Sequence, residues 1–171
     1  MIYNNLSFES FYEGADMRAH STKQLKNSSD KQPDLEKFLL WSERLHGEAP
    51  NSIIQQVKQG LDSALFCGAI SHFALTKAEL GKILGMSAAT IHRKSKAGTK
   101  LDILASERLA RIAILEKQAA EVFGSAELAL AWLKAPNLLL EQQTPLQLLD
   151  TDIGCAQVRR LLMSIAYGGV A

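Results

Sequence analysis

The sequence predicts an all-α protein, on three grounds. Apolar residues recur three and four apart along most of the chain, and helix start and stop signals bracket those segments. No segment alternates apolar and polar residues as a half-buried strand would, and no internal repeat is present. With 171 residues, 47% of them hydrophobic, the chain can bury a core as one domain or two small ones.

The first 20 residues carry Tyr3, Phe8, Phe11 and Tyr12 without clear periodicity, and residues 20–34, HSTKQLKNSSDKQPD, read as a polar linker. A helix follows with Leu35, Phe38, Leu39 and Ser42 on one face, until Gly47 and Pro50 break it. An amphipathic segment runs from Ser52 to Phe73 with Ile53, Ile54, Val57, Leu61, Leu65 and Ile70; Gly60 and Gly68 weigh against one unbroken helix.

Thr76 and Glu79 have the spacing of a capping box, so the next helix starts near Lys77. It turns Leu80, Ile83 and Leu84 inward and ends where Gly85 suits a left-handed conformation. Ser87 caps a short helix, residues 88–96, whose one strong apolar anchor is Ile91. Asp102 caps a long helix with Leu109, Ile112, Ala113, Ala120 and Phe123 inward, closed by Gly124. At about 1.5 Å per residue it is about 30 Å long, enough to span the domain. Ser125 and Pro136 bound a compact helix with Trp132 in the core, and Thr144 caps another with Pro145 at its first position. In the last helix Val158, Leu161, Leu162 and Ile165 fall at i, i+3, i+4 and i+7.

Several function classes are disfavoured. No stretch reaches the roughly 18 apolar residues of a membrane span, and the N-terminus lacks the basic start and apolar run of a secretion signal, so a cytoplasmic protein without membrane contact is expected. Cys67 and Cys155 lie far apart and form no CxxC pair, which predicts buried thiols rather than a zinc site or disulfide framework. His20, His46, His72 and His92 are isolated, and no HExxH, GxSxG or glycine-rich phosphate loop occurs; an enzyme is not expected, nor a metal or cofactor.

Charge is unevenly placed along the chain. Residues 1–50 and 118–171 are each net −2, residues 51–76 cancel, and residues 77–117 carry nine Lys/Arg against four Asp/Glu. The excess centres on LGMSAATIHRKSKAG, residues 84–98, where two short helices meet across three residues with Gly85 at the turn, the arrangement of a helix-turn-helix. Ala88 and Ala89 let the backbone approach DNA, Arg93 can read a guanine edge, and His92 can touch a base or phosphate. Ser87, Thr90, Lys94 and Lys96 suit phosphate oxygens. Lys94 stands where a bracing apolar residue is usual, and Leu101 is the candidate to supply that packing. The competing reading is a structural helical hairpin with a solvated basic face.

From about residue 57 onward the chain resembles the Xre/MbcA/ParS antitoxins. An ordered series carries the resemblance: LTKAELGKILGMSAATIHRKSKAGTKL, SERLARI, AEVFGS, AWLKAPN, QTPLQLLDTDIG and VRRLLMSIAYG. It implies an Xre/Cro-like helix-turn-helix followed by a small helical toxin-binding domain, in a type II toxin-antitoxin system whose partner is a RES-domain toxin, an enzyme that depletes NAD. It also implies a homodimer that covers the toxin's active site with its C-terminal region and represses its own promoter.

Residue by residue, the resemblance makes Arg159, Arg160, Met163, Tyr167, Gly168 and Gly169 toxin-facing, and leaves Trp132, Pro136, Thr144, Pro145, Leu149 and Gly154 to build the fold. The arginines can also be solvated charges, and the glycine pair a helix stop. NLLLEQQTP lacks the glycine that relatives often carry before Thr144. The expected division is residues 1–50 as an N-terminal extension, 51–117 for DNA and 118–171 for the toxin. The alternative is a stand-alone phage-type repressor. Deleting residues 157–171 is expected to remove neutralisation alone, provided the rest still folds.

Overall fold

The computed structural model describes residues 32–168, and every regular element among them is helical. In order these are α1 (Gln32–Gly47), α2 (Pro50–Gln59), α3 (Ser63–His72), α4 (Lys77–Leu84), α5 (Ala88–Ala97), α6 (Ile103–Phe123) and α7 (Ala126–Lys134). Two 3-10 segments, Leu138–Leu140 and Pro145–Asp150, precede α8 (Asp152–Ala166). Locally encoded caps set the boundaries. Side chains of Thr76, Ser87, Asp102, Ser125 and Thr144 each accept a hydrogen bond from a backbone N–H in the first turn that follows, satisfying a donor the helix itself leaves open.

α6 is the axis of the bundle. It packs against α1, α2, α4, α7, α8 and the second 3-10 segment, and Leu109, Ile112 and Leu115 are fully buried along it. One hydrophobic cluster runs from Phe38 in α1 to Leu162 in α8. The second 3-10 segment touches α4, α6, α7 and α8, so the base of the helix-turn-helix and the C-terminal helices rest on shared apolar contacts.

α1 departs from the sequence reading. It begins at Gln32, inside the segment read as linker, with Pro33 in its first turn, where a missing N–H costs nothing. Its buried face is Phe38, Trp41, Ser42 and Leu45, and Leu39 turns out to solvent. Gly68 makes the close approach to α3 possible: a Cβ there would lie 2.2 Å from the Asp34 carbonyl oxygen and 2.6 Å from the Phe38 Cβ. Phe38 then packs its ring against Trp41, His72 and Phe73. Glu43 pairs with Lys117, and His46 with Glu121 at 2.7 Å, along α6.

The segment from Ser52 to Phe73 is two helices. The chain turns at Gly60, φ +80°, and Asp62 caps α3 by accepting from the Ala64 N–H. Ile54, expected inside, is exposed. At this turn the Leu61 N–H donates to the Ser106 hydroxyl at 2.9 Å, and the Leu61 carbonyl accepts from the Leu101 N–H at 2.7 Å. Leu101 is buried in the core. Ser106→Ala strands the buried Leu61 N–H, so urea denaturation is expected to read a loss of about 1–3 kcal/mol. A loss under about 0.5 kcal/mol, usual for an inert surface change, would show that water or a backbone shift satisfies that group.

The loop without glycine before Thr144 places Glu141 and Gln142 at φ +55° and +64°. Buried Asn137 holds it: its carbonyl accepts from the Gln142 N–H, its amide oxygen from the Leu139 N–H, and its own N–H donates to Gln143. These bonds offset a left-handed backbone that glycine would adopt freely. Trp132, Pro145, Leu149 and Gly154 are buried. Cys155 is buried, whereas Cys67, expected inside, is only half-buried.

Candidate DNA-binding and partner-binding faces

The first candidate face is built by α4 and α5. The Thr76 N–H donates to the Glu79 carboxylate at 2.7 Å and the Glu79 N–H to the Thr76 hydroxyl at 3.1 Å. Hydrogen bonding from the Thr76 backbone N–H first, and then from the Thr76 side chain, holds the Glu79 carboxyl below the usual carboxylate range. Gly85 ends α4 at φ +71°, and the Met86 N–H closes the turn on the Gly81 carbonyl at 2.8 Å. Gly81 also admits the partner helix, since a Cβ there would meet the Ile91 Cδ1 at 2.1 Å. That contact seats α5 on α4 through Ile91, its one buried side chain among those described.

Ser87, Ala88, Ala89, His92 and Arg93 are exposed, and His92 and Arg93 make no hydrogen bond or ion pair among the described residues. The Ser87 hydroxyl accepts from the Thr90 N–H at 3.2 Å and lies 3.0 Å from the Thr90 hydroxyl, which is half-buried. Lys94 is half-buried, and its ammonium donates to the Lys100 carbonyl. The side chain of Lys96 lies outside what the structure describes.

The second face is the outer side of α8. Thr151 caps this helix by accepting from the Gly154 N–H at 3.1 Å. Arg111 ties its first turn to α6, 2.7 Å from Asp152 and 2.6 Å from Glu107. Cys155, Val158, Leu161 and Leu162 point into the core; Ile165, expected with them, emerges in the last turn at 37% exposure. Burial pushes the Cys155 thiol up, against the pull of Arg159, whose guanidinium donates to its sulfur at 3.8 Å. It therefore sits there as a neutral thiol rather than a nucleophile.

Outside, Ile153 (80% exposed), Ala156, Arg160, Met163 (50%) and Tyr167 (84%) follow one another at three- and four-residue steps. Ala156, Arg159, Arg160 and Met163 line a shallow groove there. Arg160 has no acidic partner among the described residues. Gly168 follows at φ +65°, and Gly169 lies outside the described residues. Sequence reasoning missed Ile153, although an apolar residue off the inner stripe and in step with Met163 was a readable signal.

Among the described residues no three His, Cys, Asp or Glu side chains come together as a metal site, and no helix is long and apolar enough to cross a membrane. His72 is half-buried, packed against Phe38 and Phe73 with its Nε2 3.3 Å from Glu116.

Comparison with known proteins follows the same two faces. An antitoxin Xre-like helix-turn-helix domain model matches residues 52–113. The antitoxin Xre/MbcA/ParS C-terminal toxin-binding domain model matches residues 118–168. A protein called Antitoxin Xre from Pseudomonas putida KT2440 is 34% identical over 94 residues, 55% of this chain; the match spans 58% of that relative's length. The crystal structure of the M. tuberculosis MbcT-MbcA toxin-antitoxin complex contains a chain 30% identical, with TM-score 0.45, covering 61% of this chain and 92% of that one. With both domain models matched in order over some two thirds of its length, the chain belongs to the Xre/MbcA/ParS family of antitoxins.

Proposed function

We propose that the protein neutralises a cognate toxin through the outer face of α8 and the tail beyond it, and represses its own operon through α4 and α5. One observation carries the reading: the Ile153–Tyr167 stripe is apolar and cationic, lies along a helix whose other side is core, and has no cover among the described residues. An unpartnered helix face of this kind is a docking surface for a partner's groove. The partner is a RES-domain, NAD-depleting toxin encoded in the same operon, the system is type II, and the antitoxin covers the toxin's active site in the cytoplasm. Residues 51–117 serve DNA and 118–171 the toxin, with Arg159, Arg160, Met163, Tyr167, Gly168 and Gly169 as contacts. A homodimer presents two copies of α5 to half-sites about one helical turn apart. There Ser87, Ala88, Ala89, Thr90, His92, Arg93 and Lys96 meet the DNA.

Co-expression with the product of the neighbouring gene tests both halves. The double variant Arg160→Glu, Met163→Asp is expected to lose protection, seen as NAD depletion and growth arrest, while its melting temperature and promoter binding stay as in the parent. Arg93→Ala is expected to weaken promoter binding by about 1–3 kcal/mol in gel-shift titrations and to protect fully. If either variant lost both activities, the division of labour would be wrong. If the parent bound its promoter but protected against no co-encoded protein, the stand-alone repressor reading would replace it.

A further inference from the structure

Resting on the DNA reading above, we propose that Lys94 is a positioning residue that latches the C-terminal end of α5 and sets its pitch for reading bases, rather than a phosphate contact. Lys94 stands where a helix-turn-helix usually carries an apolar brace, and the structure accounts for that anomaly. Its side chain lies three residues beyond Ile91 on the inward side of α5, half-buried, and its ammonium reaches past the Gly98 turn to the Lys100 carbonyl.

That carbonyl belongs to an anchored loop. The Lys100 ammonium donates to the Gln59 carbonyl at 3.2 Å, at the end of α2, and the next residue, Leu101, donates to Leu61 at 2.7 Å. α5 needs such a tie. Its main contacts are with α3 and α4 alone, and Ile91 is the one buried anchor among its described side chains.

A short helix held at one apolar point is free to tilt about it. A charge-assisted bond at its far end, stronger than a neutral one, removes that freedom. The consequence falls unequally on the two kinds of DNA contact. Hydrogen bonds to base edges require the helix at a fixed depth and angle, whereas ionic contacts to phosphates tolerate small displacements. The latch therefore contributes to sequence preference and little to binding of arbitrary DNA.

The test uses the full chain, its own promoter fragment and an unrelated duplex of equal length, titrated over a range of salt. Lys94→Met keeps the aliphatic stem and removes the donor. Expected are about a tenfold loss of affinity for the promoter, unchanged affinity for the unrelated duplex, an unchanged salt slope, and a melting shift of no more than about 4 °C. Lys94→Arg, which keeps a charged donor, is expected to restore most of the preference.

A salt slope reduced by about one with equal weakening on both duplexes would make Lys94 a phosphate contact and overturn the proposal. So would no change on either duplex, or equal weakening with a larger fall in melting temperature. A parent chain that binds neither duplex overturns the DNA reading itself and the latch with it.

Discussion

Phe38→Ala is expected to destabilise the protein by about 3–5 kcal/mol, measured by urea denaturation of the full chain. Phe38 is fully buried, and its ring centroid lies 5.9 Å from Trp41, 5.3 Å from His72 and 5.9 Å from Phe73. Truncation removes the ring that fills the seam between α1 and α3. The backbone cannot collapse into the space, because Gly68 already holds the two helices at their closest approach. Against a typical total of about 5–15 kcal/mol the loss is large. At about 2–4 °C per kcal/mol for a chain of this size, melting falls by roughly 6–20 °C. A loss below about 1 kcal/mol would mean that α1 is not part of the cooperative unit, although it lies outside both family models and packs into their shared core.

The second large effect is expected at Leu162→Ala, about 2–5 kcal/mol, because this side chain is 2% exposed between α8 and the core. Its neighbour Met163 looks outward, and Met163→Ala is expected to change stability by less than about 0.5 kcal/mol. The pair separates core packing from the proposed partner contact: melting curves are expected to respond to Leu162, and binding of the proposed toxin to Met163. Equal stability losses at both positions would contradict the two-sided reading of α8. The same geometry revises the truncation expected from sequence. Deleting residues 157–171 removes Val158, Leu161 and Leu162 from the core together with the outer stripe, so lost neutralisation would report unfolding as much as lost contact. Substitutions on the outer face are the clean experiment.

Some of this was legible without coordinates. The sequence by itself determined where α4, α5, α6 and α7 start, because a cap is a contact between residues close along the chain: Thr76 with Glu79, Ser87 with Thr90, Asp102 with Ala105, Ser125 with Leu128. It also determined the inner faces of α4 and most of α6 and α8, where helical periodicity and core agree.

Tertiary structure alone decided which surfaces meet. That Phe38 finds Gly68, that Leu61 finds Ser106 across 45 positions, and that Lys94 turns inward to a carbonyl while Arg93 turns out, depends on partners that no local pattern names. Periodicity specifies that a helix has an apolar side; packing specifies what covers it. Leu39 and Ile54, apolar by sequence, stayed in solvent because the geometry of α1 and α2 left nothing over them among the described residues. The outer stripe of α8 was left open in the same way, and it is the face from which the function is read.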